Sequence, residues 1–199
     1  MPIPTLTTDH LILRAFTEQD TDALHCVLSD PEVNRYFPRT EPPSREQVEK
    51  IIARQLAHWQ EHNCGWWAVL WRESQELIGW CGLQFLPEFG ETEVAYLLSR
   101  SYWGKGLATE AARAAVQFGF QTLGLERLVA IAHVENAASQ RVIEKLGMSF
   151  VEQLYLWGIE CYRYTLPRAA WATASVRRSI RPRGEMEALS TKAIPRSGL

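Results

Sequence analysis

The chain has 199 residues and a mass of 22.7 kDa, room for one domain with an appendage and a core that needs neither disulfides nor metal. Hydrophobic residues make up 46%, charged residues 22% and aromatics 11%, which excludes a disordered, collagen-like or coiled-coil chain. The net charge of −2 argues against a nucleic-acid coat, and apolar runs such as Trp66 to Trp71 are far too short to span a bilayer.

The N-terminal residues Met1-Pro2-Ile3-Pro4-Thr5 lack the pattern of a signal peptide. Cys26, Cys64, Cys81 and Cys161 are scattered with no metal spacing, so the expectation is reduced core thiols, a cytoplasmic setting and no metal. The charge is split along the chain. Residues 1–167 hold 14 basic and 21 acidic side chains, a net −7, whereas residues 168–199 hold seven basic and two acidic ones, a net +5. Apolar periodicity stops near Pro167. A body over 7–166 and a basic, flexible extension over 168–199 are expected.

In chain order, Thr8 to Arg14 reads as a first strand and Thr17 to Ser29 as a helix. Ser44-x-x-Gln47 is a capping box opening a second helix on which Val48, Ile51, Ile52, Leu56 and Trp59 recur at helical spacing. Strands follow over Gly65–Trp71, Glu76–Leu86 and Glu91–Leu98, joined by turn-rich links that suit antiparallel hairpins. A helix then separates Leu98 from a strand at Arg127–His133, which predicts a parallel pair. A helix from Asn136 to Leu146 stops at Gly147. Closing strands are expected at Met148–Gln153 and Leu156–Leu166.

The informative segment runs from Ser99 to Glu110, where a strand passes through Gly104-Lys105-Gly106 into a helix. Two glycines one residue apart let successive backbone N–H groups converge, and the helix start adds its own unpaired donors. Such a junction suits a diphosphate. It is not a P-loop, which needs Gly at position 99 and Ser or Thr after Lys105. Nor is it a dinucleotide fingerprint, since position 109 is Thr.

Glu93 to Leu98 and Tyr102 to Ala111, followed by Asn136-Ala137-Ala138-Ser139-Gln140-Arg141-Val142-Ile143-Glu144-Lys145-Leu146-Gly147, resemble the two signatures of GNAT N-acetyltransferases. The similarity is greatest to the branch that acetylates ribosomal-protein N-termini, and it extends over about Thr7 to Leu166. It implies an α/β (α+β) fold: a mixed, mostly antiparallel sheet with a splayed parallel pair and helices on both faces. It further implies an acetyl-CoA co-substrate. Backbone groups of Tyr96, Leu97 and Leu98 would meet the pantetheine arm, and amides from Trp103 through Gly104, Lys105, Gly106, Leu107 and Ala108, with Thr109, the diphosphate. Asn136 would contact the pantetheine amides. The chain departs from the family pattern at Ser101, often Arg or Gln, and at Val142 and Ile143, where the later helix often carries a tyrosine.

An ammonium acceptor must lose a proton, and a carboxylate on the strand beside the thioester suits that task. Glu93 occupies that position; it reads equally as an exposed strand carboxylate. Glu110 and His133 compete with it as proton acceptors, although Glu110 also suits the dipole of its helix and a lone His more often serves as a local hydrogen-bonding residue. Ser139, one turn past Asn136, is the candidate acid for the leaving sulfur. Arg141 and Lys145 read as phosphate contacts or as a solvated face. Tyr36, Phe37, Trp66, Trp67, Trp80, Phe85 and Trp157 offer aromatic lining, most of it core.

The expected activity is acetyl transfer to a primary amine, foremost a protein N-terminus, with a polyamine or aminoglycoside as the small-molecule alternative. A non-catalytic acyl-CoA-binding module is the rival class. No membrane partner is expected; contact with nucleic acid is confined to the basic tail and ribosomal RNA. Monomer and dimer both remain open.

Overall fold

A computed structural model describes residues 2–179. Two short strands, β1 (Leu6–Thr7) and β2 (Leu11–Arg14), precede the helices α1 (Thr21–Leu28), α2 (Pro31–Asn34) and α3 (Arg45–His62). Strands β3 (Trp66–Trp71), β4 (Leu77–Leu86) and β5 (Glu91–Leu98) lead to α4 (Leu107–Gln121) and β6 (Arg127–His133). Then come α5 (Ala137–Lys145), β7 (Ser149–Leu156), β8 (Ile159–Pro167) and α6 (Arg168–Ser179). The eight strands form one sheet in the order β1-β2-β3-β4-β5-β6-β8-β7. Every neighbouring pair is antiparallel except β5 and β6, as expected from the helix between them.

Side chains alternate across the strands, so each face of the sheet has its own core. Trp67, Val69, Cys81, Leu83, Val94 and Leu98 pack toward α4 and α5. Ala68, Leu70, Leu77, Trp80 and Leu97 pack toward α1, α2 and α3. The α3 start is the expected capping box: Ser44 N–H donates to Gln47 Oε1 at 2.7 Å, and Ser44 Oγ accepts from the Gln47 N–H.

Four local expectations change. The first strand breaks at Thr8–His10, where Thr8 N–H donates to the Leu11 carbonyl and turns the chain. The helix expected from Thr17 begins as a 3-10 turn (Glu18–Asp20), because the Asp20 carboxylate reaches back to Thr17 N–H and to both Arg14 amines, at 2.7 Å each. The last hairpin turns at Trp157-Gly158, both at positive φ (53° and 89°), which ends β7 at Leu156 and lifts Trp157 out of the strand. The expected extension also begins as helix: α6 is rich in alanine, and its Trp171 ring sits 5.2 Å from Phe120. The remainder of the basic tail, 180–199, lies outside the described residues.

At Gly82 on β4 a methyl group would come within 2.2 Å of the carbonyl oxygen of Gly65, just ahead of β3. Gly82→Ala is therefore expected to destabilise the fold by about 2–3 kcal/mol, read from urea unfolding.

Candidate active site

The parallel pair forms one rung, Glu93 opposite Val129, and then parts. Past this rung the Glu93 carboxylate lies close enough to the Ile131 N–H for that amide to favour its charged form, an amide that a continued ladder would give to the β5 main chain. Glu93 is 8% exposed, so it is not the surface carboxylate that the strand pattern equally allowed. Burial raises its pKa to about 8; the Ile131 bond opposes that rise and Glu88 adds slightly to it.

Beyond Glu93, β5 presents a bare edge. Ser99 N–H bonds Ile78 on β4, and the Leu97 carbonyl oxygen lies where a Cβ on Gly79 would touch it at 2.1 Å. Backbone groups alternate between the two edges of a strand. The groups of Leu97 thus face β4, and those of Val94, Tyr96 and Leu98 face the gap. This corrects the expectation that all three residues Tyr96, Leu97 and Leu98 offer main-chain groups to an extended ligand. The Leu98 carbonyl is itself taken, by the Trp103 indole N–H at 2.7 Å. Tyr96, with both its groups, and the Leu98 N–H remain on the open edge.

The gap leads to the glycine loop. Gly104 and Gly106 have φ of 73° and 81°, and a Cβ built on either meets nothing within 4 Å. The positive φ values bend the chain, and the space around them is open. The expected run of amides starts one residue late, since Trp103 N–H is already bonded to the Arg100 carbonyl at 3.1 Å. The amides of Gly104, Lys105 and Gly106 bond to no other main-chain group outside helix and strand ladders. Those of Leu107, Ala108 and Thr109 form the first turn of α4, whose cap, Gly106, supplies no side-chain acceptor. Lys105 stands beside them with its ammonium 5.0 Å from the Tyr102 ring. Donors of this kind, with one lysine, fit a diphosphate.

Across the gap, Asn136 caps α5, its Oδ1 accepting from Ser139 N–H at 3.0 Å. The Ser139 hydroxyl is 2.9 Å from the Tyr96 hydroxyl. Glu93, Tyr96, Leu107, Asn136 and Ser139 all line one cleft of about 770 Å³. Arg141 and Lys145 lie on its α5 side. Its other end is aromatic: Trp66 and Trp80 stack at 3.7 Å, Phe37 meets Trp80 edge-on, and Tyr36 lies 5.4 Å from His133. Trp67, by contrast, is fully buried in the α4-side core.

Glu110 and His133 have local duties. Glu110 accepts from Thr8 Oγ1 at 2.6 Å and from His10 N at 2.8 Å; burial alone would raise its pKa, but these bonds outweigh it and the net shift is downward. His133 Nδ1 accepts from the Glu135 N–H at 3.1 Å. Four features of the site were silent in the sequence: the Ile131 amide, the Trp103 indole, the Tyr96 hydroxyl and Cys161, whose thiol is shifted upward by burial and by nearby Glu93. Each depends on contacts that no local motif encodes.

Residues 10–149 match the profile described as acetyltransferase (GNAT) domain. The chain belongs to the GNAT acetyltransferase family. Among relatives, the N-acetyltransferase YoaA of Bacillus subtilis is 36% identical over 145 residues, 72% of this chain and 82% of its own. The FsC-acetyl coenzyme A-N(2)-transacetylase of Aspergillus fumigatus is 26% identical over 191 residues, 84% of this chain and 78% of its own. A crystal structure of an acetyltransferase from Agrobacterium tumefaciens superimposes with a TM-score of 0.73 at 28% identity, covering 83% of this chain and 95% of that one. This GNAT protein is accordingly an acetyl-CoA-dependent acyltransferase with the mixed α/β sheet of its family. No helix among the described residues is long and apolar enough to cross a membrane.

Gly106→Val places a β-branched side chain at φ 81°, a conformation that costs an L-residue about 1–2 kcal/mol. Its affinity for coenzyme A, measured by titration calorimetry, is expected to fall about tenfold.

Proposed function

We propose that this GNAT enzyme acetylates the α-amine of a peptide or protein N-terminus by direct attack on acetyl-CoA. The observation that carries this reading is the buried Glu93 carboxylate at the floor of the cleft, with its pKa near 8. A base works best when its pKa lies near the operating pH and near that of the group it deprotonates. Peptide α-amines titrate at about 7.7–8.0, lysine-type amines above about 10. Glu93, raised by burial toward the range of an α-amine, is suited to take its proton near neutral pH.

The lining of the acceptor end agrees. Trp66, Trp80, Tyr36 and Phe37, with Glu32 beside them, make a mostly aromatic wall suited to an amine next to an apolar side chain. The Bacillus subtilis protein YdaF, whose name places it among ribosomal N-acetyltransferases, is 30% identical over 179 residues, 82% of this chain and 94% of its own.

The residues divide the work as follows. Amides of Gly104 to Thr109 and the Lys105 ammonium hold the diphosphate, and Asn136 and the Tyr96 main chain hold the arm. Bound acetyl-CoA supplies an activated thioester carbonyl. The Tyr96 N–H at the bare edge is placed to donate to its oxygen, and the Leu98 N–H to the arm further along. Glu93 first takes the ammonium proton and passes it to solvent, which frees the amine. As the N–C bond forms and the C–S bond breaks with its electron pair on sulfur, Glu93 takes the second nitrogen proton and Ser139 passes one to the sulfur. Glu93 then returns its proton to solvent and Ser139 regains one, so the net release is one proton for each ammonium acetylated.

Incubating the enzyme with acetyl-CoA and a panel of short peptides, alongside spermidine and an aminoglycoside, tests the reading by thiol release and mass spectrometry. Peptide-dependent release with the label on the α-amine is expected; turnover of the small amines alone would overturn the peptide assignment. Glu93→Gln is expected to lower kcat about a hundredfold with coenzyme A affinity unchanged, and Ser139→Ala to lower kcat as well.

The Glu93 shift also couples to stability. The folded-state pKa lies above the ordinary carboxylate value, so burial of the neutral acid favours folding below about pH 4.5, and that contribution is lost as pH rises through about 8. Melting curves are expected to show the wild type losing stability relative to Glu93→Gln across that window.

A further inference from the structure

Tyr96 enters the scheme above only through its main chain, yet its side chain also reaches the site. It lies three residues past Glu93 on β5, so the two side chains leave the strand on opposite faces. Glu93 goes to the α1–α3 side and the Tyr96 ring to the α4–α5 side, against the core there. Its hydroxyl lies 2.9 Å from Ser139 Oγ and 3.1 Å from the Ser139 carbonyl oxygen.

A serine in the first turn of a helix ordinarily turns its hydroxyl onto nearby main chain. Ser139 does not: Oγ bonds the Tyr96 hydroxyl. Each of the two hydroxyls has a single hydrogen, and only one of them lies between the oxygens. When Ser139 donates, Tyr96 gives its hydrogen to the Ser139 carbonyl. When Tyr96 donates to Oγ, the Ser139 hydrogen is left over. The two arrangements differ by rotation of two hydrogens, with no heavy atom displaced.

We infer that Tyr96 is a positioning residue for Ser139: it holds Oγ at the cleft and, by donating to it, leaves the serine hydrogen for the departing sulfur. This rests on the assignment of Ser139 as the acid. Burial drives the Tyr96 pKa upward, only partly offset by the bond with Ser139, so the phenol stays protonated and remains a donor. It orders the donor that meets the sulfur and does not itself release a proton.

Tyr96→Phe keeps the ring and removes the hydroxyl, and Tyr96→His restores a donor of different shape. With peptide acceptor saturating, Tyr96→Phe is expected to lower kcat about tenfold, with Kd for coenzyme A by calorimetry within twofold of wild type. Tyr96→His is expected to recover part of that loss. In the Ser139→Ala background Tyr96→Phe is expected to cost nothing further, because the donor it orders is gone. A crystal structure of Tyr96→Phe should show Ser139 Oγ turned away from the cleft.

A Tyr96→Phe enzyme with wild-type kcat beside a slow Ser139→Ala overturns the inference and leaves the acid assignment standing. Losses that multiply in the double variant, or a fall in coenzyme A affinity with Tyr96→Phe, assign the phenol an independent or packing role and also overturn it. A Ser139→Ala enzyme at wild-type rate removes the acid and this inference together. If Tyr96→Phe fails to fold, Tyr96→His decides: kcat above that of Ser139→Ala with Kd unchanged supports the positioning role, and kcat no higher than that of Ser139→Ala opposes it.

Discussion

The parting of β5 from β6 after one rung, Glu93 opposite Val129, is the constraint on which the cleft depends. A parallel sheet ordinarily satisfies its main chain rung after rung, and an unpaired buried amide is costly. Here one side chain takes the amide at the point where β5 and β6 separate. The sheet can then open without leaving that donor bare, and β5 is left with an edge on which an extended ligand can pair as an added strand. Burial of the carboxylate raises its pKa, and the Ile131 amide opposes that rise. Opening of the sheet and tuning of the base therefore meet at one side chain.

The two faces of β5 then divide the chemistry. Strand alternation sends Glu93 toward the helices α1 to α3, where the aromatic wall is, and Tyr96 toward α4 and α5, where Asn136 and Ser139 sit. In the proposed reaction the proton leaves the amine on one side of the strand and the sulfur is met on the other. The strand keeps the two proton transfers apart while placing both within one cleft.

Much of this was legible in the sequence for local reasons. Gly104-Lys105-Gly106 between a strand and a helix identifies the loop because glycine takes its positive φ values without steric cost, and Asn136 before a short helix identifies its cap. Glu93 and Ser139 could be picked out as residue types in suitable places. Their surroundings could not. The Tyr96–Ser139 contact spans 43 residues, and the Ile131 amide becomes relevant only once the sheet has parted. The main-chain assignment of Leu97 failed on parity, because which edge a strand residue faces is fixed by its register with β4. Trp157 was misplaced because the positive φ of a two-residue turn overrode its preference for strand. The first turns of α6 looked like a soft tail because charge and composition gave no sign of Trp171 docking on Phe120.

The bare edge of β5 has two fixed ends. Glu93 closes it where β6 departs, and the Trp103 indole closes it by occupying the Leu98 carbonyl. Between them lie five strand steps, about 17 Å at the usual rise. In the proposed reaction that interval is a ruler for a linear donor paired along the edge, with its reactive head at Glu93 and its bend toward the glycines at Leu98. An arm of another length would then present its carbonyl out of step with the proposed base, before any side chain inspects the cargo.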